Sequence, residues 1–322
     1  MKIFAIFALG VSVACFSTAA VAQSYPAKTV TVISPGTPSG GIDSVIRIYT
    51  AELAKRWNQN VIVENRTGAA GALGHEVAAR AQPDGYTLYV NSDAAMGYAL
   101  LGQTEYDVEK YFTPITILAS AQNVCVTSAE SSTKTLGALL AYAKANPGKV
   151  NWGNYLNTPN HVQLLRLFRS AGMEITLVPY NNSTQMQRAA LSGEVHVTCI
   201  AATKGLAELA RTGRLVALAA MGRERIGDFP DAPTFREAKV DFDWDQVICA
   251  LLAPAATPTA IVSKLRADIG ELMKQPEIIA KVRNVGFEPE MRSPAESSAS
   301  LWRYPEQLRK VMQDSGFKPA TK

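Results

Sequence analysis

The sequence has little charge imbalance, few cysteines and no long apolar run after its N-terminal segment. Its 32 lysines and arginines stand against 28 aspartates and glutamates, which gives a formal net charge of +4. No cluster of basic residues marks a nucleic-acid surface, so we expect no nucleic-acid partner. No stretch after residue 22 approaches the ~18 apolar residues of a membrane span, which argues against an integral membrane protein.

The chain also lacks the short motifs of many enzymes that use phosphate, zinc or an activated nucleophile. The phosphate loop G-x-x-x-x-G-K-[ST], the elbow G-x-S-x-G and the C-x-x-C pair are all absent. The pair His75-Glu76 is followed by Ala79 where a zinc-binding helix needs a second histidine. The glycine spacing of TGAAGALG (67–74) favours close helix packing over weak phosphate binding. The sequence therefore predicts no metal, no cofactor and no catalytic residue.

The first 22 residues have the pattern of a secretory signal peptide. Lys2 precedes an apolar run from Ile3 to about Cys15, and this run leads to the small residues Ala20-Val21-Ala22. We therefore expect export, with cleavage after Ala22. The residues before Cys15 lack the usual leucine of a lipoprotein signal, which disfavours lipid attachment. The remaining 300 residues exceed the usual size of a single-core domain, so two lobes are expected.

Segments typical of strands and helices alternate along most of the chain, which indicates an α/β protein. TVTVIS (29–34) predicts a strand, and residues 42–57 predict a helix with apolar residues on one face. The alternation of strand and helix patterns is interrupted by a longer irregular stretch after YTLYVNS (86–92). It resumes with LGALLAYAKAN (136–146). Strands that are apolar throughout indicate mainly parallel sheets. The last third, after VICALLAP (247–254), is expected to be mostly helical.

Two adjacent glycines lie where the first strand turns into the first helix, in PGTPSGGID (35–43). In open parallel sheets, ligands bind beyond the carboxyl ends of the strands, where loops lead into helix N-termini. The free amides and partial positive charge of such a terminus suit an anion, and glycines without a Cβ let it approach the backbone. A tight turn capped by Ser39 or Asp43 explains Gly40 and Gly41 equally well.

Two further polar loops also join a strand to a helix, NYLNTPNH (154–161) and YNNST (180–184). Amide and hydroxyl side chains stand just where each helix starts: Asn157, Thr158, Asn160, Asn182, Ser183 and Thr184. Any one of them alone is more often a helix cap than a ligand contact. Three such loops spread over two lobes nevertheless suggest one cleft with many hydrogen-bond donors and few charges, which fits a small carboxylate.

Longer segments of the chain resemble a known receptor family. The most specific are ENRTGAAGALG (64–74) and PDGYTL (83–88), and the likeness runs from about Tyr25 to the C-terminus. Further segments are YAKANPGKVNWGN, LVPYNNS, FPDAPTFREA and LLAPAATP. The chain resembles the periplasmic solute receptors of tripartite tricarboxylate transporters, often called Bug proteins.

The resemblance implies a two-lobed Venus flytrap fold in which each lobe is a mainly parallel sheet flanked by helices. It places lobe 1 at 23–123 plus 247–322 and lobe 2 at 124–246. It also implies a monomeric receptor in the periplasm that captures a small carboxylate, amino acid or related organic anion. Such a receptor passes its ligand to a two-component membrane permease and has no enzymatic activity.

The same resemblance assigns the ligand to the loops at 35–43 and 154–161, and the loop at 180–184 adds further contacts. It also places the polar residues at the end of the strand 86–92, and Asp93 after it, in the same cleft. The predicted ligand-binding residues are Ser39, Gly40, Gly41, Asp43, Asn91, Ser92, Asp93, Asn157, Thr158, Asn160, Tyr180, Asn182 and Ser183.

The sequence departs from the family pattern near the cleft. The residues Ser34-Pro35-Gly36-Thr37 replace the usual opening of the first loop, and IAAT (200–203) lacks an aspartate that commonly follows that strand. Asp93 instead adds an acid after another cleft-facing strand. It either caps a helix or faces the ligand, where it would pair with an amine or ring nitrogen. On the second interpretation, an amino acid or N-heterocyclic acid is favoured over a plain dicarboxylate.

The resemblance also places Cys125 and Cys249 on strands that cross side by side between the lobes. A Cys125–Cys249 disulfide is then within geometric reach, and two buried free thiols are the other interpretation. Cys199 is expected to be a small core residue.

Two other functions remain open from the sequence. An exported α/β enzyme acting on a small organic acid would use His161 or Asp93 as a base, whereas a sensor subunit would present its ligand to a signalling kinase. An enzyme would consume the ligand, and a receptor would release it unchanged.

Overall fold

The structure is a computed structural model that describes residues 25–68, 71–92, 95–97, 104–155, 159–240, 247–302, 305–306, 309–310 and 313. Its strands are β1 (Val30–Ser34), β2 (Val61–Asn65), β3 (Thr87–Ser92), β4 (Phe112–Ala121), β5 (Asn123–Ser128), β6 (Asn151–Asn154), β7 (Thr176–Pro179), β8 (Val197–Ala201), β9 (Leu215–Ala220), β10 (Val247–Pro254) and β11 (Glu288–Pro289). Its helices are α1 (Gly41–Trp57), α2 (Ala72–Ala79), α3 (Val108–Tyr111), α4 (Leu136–Ala145), α5 (Pro159–Ala171), α6 (Ser183–Ser192), α7 (Lys204–Arg211), α8 (Thr259–Met273), α9 (Pro276–Asn284) and α10 (Pro294–Leu301). Within these ranges no helix has the length and apolar character needed to cross a bilayer.

The first sheet contains six strands in the order β11-β4-β10-β3-β1-β2. β1 pairs in parallel with β2 and β3, whereas β10 runs antiparallel to β3 and β4, and β11 is antiparallel to β4. Four of the six strands therefore point in one direction. The sheet combines strands from early in the chain with two that return from its last third.

The second sheet contains five strands in the order β7-β6-β8-β5-β9, all from the middle of the chain. β6 pairs in parallel with β7 and β8, and β5 is antiparallel to β8 and β9, so four of the five strands share one direction. The two helix-flanked sheets confirm the predicted two-lobed α/β fold. Both sheets are mixed, because each contains a strand that runs against its neighbours.

Helix α1 shows how the apolar pattern positions the loops between the lobes. Val45, Ile46, Tyr49 and Leu53 recur at the spacing of one helix face, and each is at most 1% exposed. They pack against the first sheet, and the Tyr49 hydroxyl donates a hydrogen bond to the Leu118 carbonyl at 3.1 Å. Full burial of each such apolar side chain contributes about 1.5–3 kcal/mol. This packing fixes α1 against the sheet, and the short loop 35–40 joins its N-terminus to the end of β1.

The stretch predicted to be irregular contains β4 and β5, where the chain passes from one sheet to the other. Ala121 pairs with Val247 in the first sheet, whereas Asn123 pairs with Ala201 in the second sheet. The passage between the lobes is therefore made at Gln122, whose carbonyl accepts a hydrogen bond from the amide of Ala202 at 2.9 Å.

A Cys125–Cys249 disulfide is wrong, and the other interpretation, two buried free thiols, holds for Cys249 but not for Cys125. Cys125 is bonded to Cys199, which lies directly opposite it on the neighbouring antiparallel strand, with the Cα atoms 3.9 Å apart. Cys249 is a buried free thiol in β10, where its register partners are Ser92 and Ala119. Because the chain changes sheets at Gln122, Cys125 and Cys249 belong to different sheets. Cys199 is therefore a crosslinked residue as well as a core residue.

Candidate functional site

A cavity of about 740 Å³ is lined by residues from both lobes. Three helices begin at its wall, namely α1 from the first lobe and α6 and α7 from the second. Each helix follows a strand that belongs to the parallel part of its sheet. The cavity thus lies beyond the carboxyl ends of these strands, where open α/β sheets bind ligands.

The loop from Pro35 to Gly40 brings the start of α1 to the cavity, and all of its residues line the wall. The Gly40 amide donates to the Thr37 carbonyl at 2.9 Å, and Ser39 has a left-handed backbone with φ of 63°. Gly40 occupies the N-cap position and provides no side-chain cap for the helix. The first amides and the dipole of α1 therefore make this end of the cavity attractive to an anion.

Asp43, a predicted ligand residue, does not line the cavity and is 1% exposed. Its carboxylate accepts hydrogen bonds from the Ser39 amide at 2.9 Å, from Arg47 Nε at 2.7 Å and from Asn65 Nδ2 at 2.7 Å. Burial alone would raise the pKa of Asp43, but these hydrogen bonds and the charge of Arg47 outweigh burial and hold the pKa below its usual value. Asp43 therefore shapes the loop as an ionised group.

The structure contains the tight turn that was one of the two interpretations of Gly40 and Gly41, with the Ser39 amide hydrogen-bonded to Asp43. Neither glycine has room for a Cβ atom, because protein groups pack against both. A Cβ on Gly41 would lie 2.7 Å from Cε2 of Phe287 and 3.4 Å from the methyl group of Thr203. A Cβ on Gly40 would lie 2.9 Å from Oγ1 of Thr37. These glycines permit close packing of protein groups, and at Gly41 the packed groups come from both lobes.

The loop before α6 supplies amide and hydroxyl groups from the second lobe. Its cavity-lining residues are Asn181, Asn182, Ser183, Thr184 and, one turn later, Gln187. The Asn182 side chain accepts a hydrogen bond from the Gln185 amide at 2.9 Å, and the Gln185 side chain accepts one from the Asn181 amide at 3.1 Å. This reciprocal pair caps the helix. Asn182 thus has both of the roles that the sequence left open, as a cap and as part of the cavity wall.

The start of α7 adds a third part of the wall, which the predicted site did not include. Thr203 caps this helix by accepting a hydrogen bond from the Leu206 amide at 3.3 Å. Thr203 and Lys204 both line the cavity, and the Lys204 ammonium donates to Asp228 Oδ1 at 2.6 Å. The signal was present in the sequence, because VTCIAATKG joins a strand to a helix through polar residues in the same way as the other loops.

Six of the predicted residues come together at the cavity: Ser39, Gly40, Gly41, Ser92, Asn182 and Ser183. Asn91 and Tyr180, like Asp43, do not line it. Asn91 is a 1% exposed residue of β3, and the Tyr180 hydroxyl donates to Glu194 at 2.7 Å. Burial and the Glu194 carboxylate raise the pKa of Tyr180 to about 12. The predicted residues Asp93, Asn157 and Thr158 lie outside the described residues, and so does the side chain of Asn160.

The described wall offers hydroxyl groups, amides and backbone groups, and Lys204 carries its one charged side chain. No histidine, aspartate or glutamate belongs to this part of the wall, and its cysteine, Cys199, is held in the disulfide. These groups can donate hydrogen bonds to an anion, and none of them is suited to act as a general base at neutral pH.

Comparisons with known proteins agree with this arrangement. The model of the tripartite tricarboxylate transporter family receptor matches residues 45–303. Protein BugT of Bordetella pertussis is 28% identical over 322 residues, and the match covers 98% of each chain. MatC from Rhodopseudomonas palustris, solved with bound malate, is 28% identical with a TM-score of 0.80 over 89% of this chain and 99% of that chain. An R. palustris protein solved with adipate is 26% identical with a TM-score of 0.82 over 92% of this chain and 99% of that chain. The protein described here therefore belongs to the tripartite tricarboxylate transporter receptor family.

Proposed function

We propose that this protein is a periplasmic solute receptor that captures a small carboxylate between its lobes and delivers it to a membrane permease of the tripartite tricarboxylate type. The observation that carries the proposal is the meeting of α1 from the first lobe with α6 and α7 from the second at one cavity. The related proteins solved with malate and with adipate support small carboxylates as the ligand class.

In this proposal, one ligand carboxylate rests on the loop before α1, where first-turn amides and the helix dipole offset its charge. Polar groups at the starts of α6 and α7 then reach the same ligand from the other lobe. Neither lobe alone satisfies the ligand, so binding stabilises the arrangement in which the lobes meet. The proposed contacts are Ser39, Gly40, Gly41, Ser92, Asn182 and Ser183, with Asn157, Thr158 and Asn160 from the loop at 154–161.

The exported chain is proposed to consist of two lobes after removal of the signal peptide. Cleavage after Ala22 leaves a monomeric receptor whose first lobe comprises 23–123 plus 247–322 and whose second lobe comprises 124–246. The membership of the two sheets supports this division, since β10 and β11 join the strands that precede Gln122. The partner in transport is a two-component permease.

Titration of the purified protein with small mono- and dicarboxylates tests the proposal. We expect at least one acid to bind by isothermal titration calorimetry and to raise the Tm as its free concentration rises. Mass spectrometry of the recovered ligand should show it chemically unchanged. Failure of every acid to bind, or conversion of the acid into a product, would overturn the proposal.

Two serines of α6 provide a matched pair of variants. Ser183 lines the cavity, whereas Ser192 lies at the other end of the helix, where its hydroxyl donates to the Ala189 carbonyl at 3.2 Å. We expect Ser183→Ala to weaken ligand binding about fivefold, because one hydrogen bond contributes about 1 kcal/mol. Ser192→Ala should leave affinity unchanged, and equal losses in the two variants would contradict the assigned site.

A further inference from the structure

We propose that Lys204 is a specificity-determining residue that selects ligands carrying a second anionic group. When such a ligand binds, the Lys204 ammonium leaves Asp228 and pairs with the ligand's second carboxylate. The inference rests on the proposed function, because it concerns the ligand held in the same cavity.

Lys204 lies in the cavity wall at the start of a helix. It carries the one charged side chain among the described residues of the cavity wall. Lys204 is also the first residue of α7, where the helix dipole disfavours a cation. Arg211, in the last turn of the same helix, lies at the end that the dipole favours. The lysine thus stands at the electrostatically unfavourable end, and its side chain is too exposed, at 49%, for packing to explain it.

The present partner of Lys204 can be exchanged at little cost. The ammonium contacts Asp228 Oδ1 at 2.6 Å, and Asp228 is not part of the cavity wall. The two side chains are 49% and 33% exposed, so water screens their attraction. Exposed ion pairs of this kind contribute little to stability. A ligand carboxylate therefore displaces Asp228 when it attracts the ammonium only slightly more strongly than Asp228 does.

The number of charges on the ligand decides what Lys204 does. A monocarboxylate rests on the loop before α1, contacts the uncharged polar groups of the second lobe and leaves Lys204 paired with Asp228. The second carboxylate of a longer ligand reaches Lys204 as well, and closure of the lobes removes water and strengthens its attraction to the ammonium. This selection is opposite to the one that Asp93 would make if it faced the ligand, because Asp93 favours an amine. The two interpretations therefore predict different ligands.

Calorimetric titration with two matched pairs of acids tests the role of Lys204. The pairs are succinate with butyrate and adipate with hexanoate, in which the members of a pair differ by one carboxylate. Lys204→Met removes the charge and keeps the length of the side chain. Asp228→Asn removes the negative charge that pairs with Lys204 and keeps the charge of the lysine. Arg211→Gln removes one positive charge at the far end of α7 and controls for net charge, since Arg211 pairs with Glu208 outside the cavity wall.

We expect the wild type to bind at least one diacid about tenfold or more tightly than its matched monoacid. Lys204→Met should lose about tenfold in diacid affinity and nothing in monoacid affinity. Asp228→Asn should bind the diacid at least as tightly as the wild type, and Arg211→Gln should match the wild type for every acid.

Equal losses for diacid and monoacid in Lys204→Met, or no loss at all, would overturn the inference while leaving the proposed function intact. The inference would also be overturned, and the proposed function would stand, if the wild type bound monoacids or amine-bearing acids more tightly than diacids. If Lys204→Met does not fold, a fall in diacid affinity in Asp228→Asn still contradicts the inference. Failure of the wild type to bind any carboxylate would instead count against the proposed function itself.

Discussion

Asp43 carries a negative charge close to the loop that is proposed to receive an anion, yet its charge is compensated within the loop. The Arg47 guanidinium donates a hydrogen bond to one carboxylate oxygen of Asp43, and the Asn65 amide donates one to the other oxygen. The Asn65 amide also donates to the Gly36 carbonyl at 2.8 Å, which ties the end of β2 to the same loop. A loop held in this way needs little ordering when the ligand arrives, which favours tight binding.

Replacing Asp43 with asparagine removes its charge and keeps its shape. We expect the free energy of unfolding to fall by about 1–3 kcal/mol near neutral pH, because hydrogen bonds to a charged group are weakened. The pKa of Asp43 is lower in the folded protein than its usual value of 3.8, so the stabilisation is fully present above that value. It is lost as the pH falls through the folded pKa. Urea unfolding from about pH 7 down to about pH 3 measures this change.

The exposed residue Asp231 provides a control for the Asp43 variant. Asp231→Asn should change the free energy of unfolding by no more than about 0.5 kcal/mol. The assigned role of Asp43 is wrong if Asp43→Asn is as stable as the wild type near neutral pH. It is also wrong if the difference in unfolding free energy between Asp43→Asn and the wild type grows as the pH falls.

The sequence predicted Ser39, Gly41 and Ser183 at the cavity because loops that join parallel strands to helices converge at one edge of a sheet. It could not separate Asp43 from them, since the deciding partner Asn65 comes from a different strand. Lys204 was missed because a threonine followed by a lysine also fits an ordinary helix start, and only the fold brings that start to the same cavity.

At the scale of elements, the disulfide between β5 and β8 crosslinks two neighbouring strands of the second lobe. It joins cysteines that are 74 residues apart. For a loop of that length, chain entropy gives a stabilisation of about 4 kcal/mol. We expect Cys125→Ala/Cys199→Ala to lose about this much unfolding free energy in urea titrations.

Cys249→Ala is the matched control, because it removes a buried sulfur without removing a crosslink. A reducing agent should destabilise the Cys249→Ala variant and leave the double variant unchanged. A double variant that is as stable as Cys249→Ala and equally sensitive to the reducing agent would contradict the observed pairing.

The βαβ segments were predictable because the spacing of apolar residues and the polar loops are local properties of the chain. The strand β4 was not, since Pro114 interrupts its pattern and removes a hydrogen-bond donor. A register shift between Leu251 and Leu252 of β10 brings Pro114 opposite Leu252 and accommodates it. The antiparallel direction of β10 depends on its return from the second lobe, which no local pattern encodes.

At the scale of the whole molecule, the lobes touch where Gly286 meets the segment 202–204. A Cβ on Gly286 would lie 2.6 Å from Cα of Thr203 and 2.8 Å from the backbone nitrogen of Lys204. Such distances leave no room for a side chain while the lobes are together. The glycine therefore sets how closely the two lobes approach.

Gly286→Ala and Gly193→Ala separate the approach of the lobes from backbone strain. Both glycines follow a helix with positive φ, 85° and 74° respectively, so alanine costs each about 1–2 kcal/mol of strain. A Cβ on Gly193 would meet nothing within 4 Å, whereas a Cβ on Gly286 forces the lobes apart. We expect ligand affinity to fall about tenfold or more in Gly286→Ala and to remain unchanged in Gly193→Ala.

Small-angle X-ray scattering provides a second measurement of the same effect. The ligand-free Gly286→Ala variant should have a larger radius of gyration than the Gly193→Ala variant. If the two variants bind ligand equally well and have the same radius of gyration, the contact at Gly286 does not limit the approach of the lobes.

The position of β4 in its sheet also determines the order in which the two sheets can form during synthesis. β4 ends at Ala121, and β10, the first of its two neighbours, begins only at Val247. A nascent chain therefore contains a ten-residue strand with both edges unpaired until most of the protein has been synthesised. Pairing over such sequence distances is slow and leaves strand edges open to aggregation. All strands of the second sheet precede β10, so the middle of the polypeptide can finish folding before its beginning does.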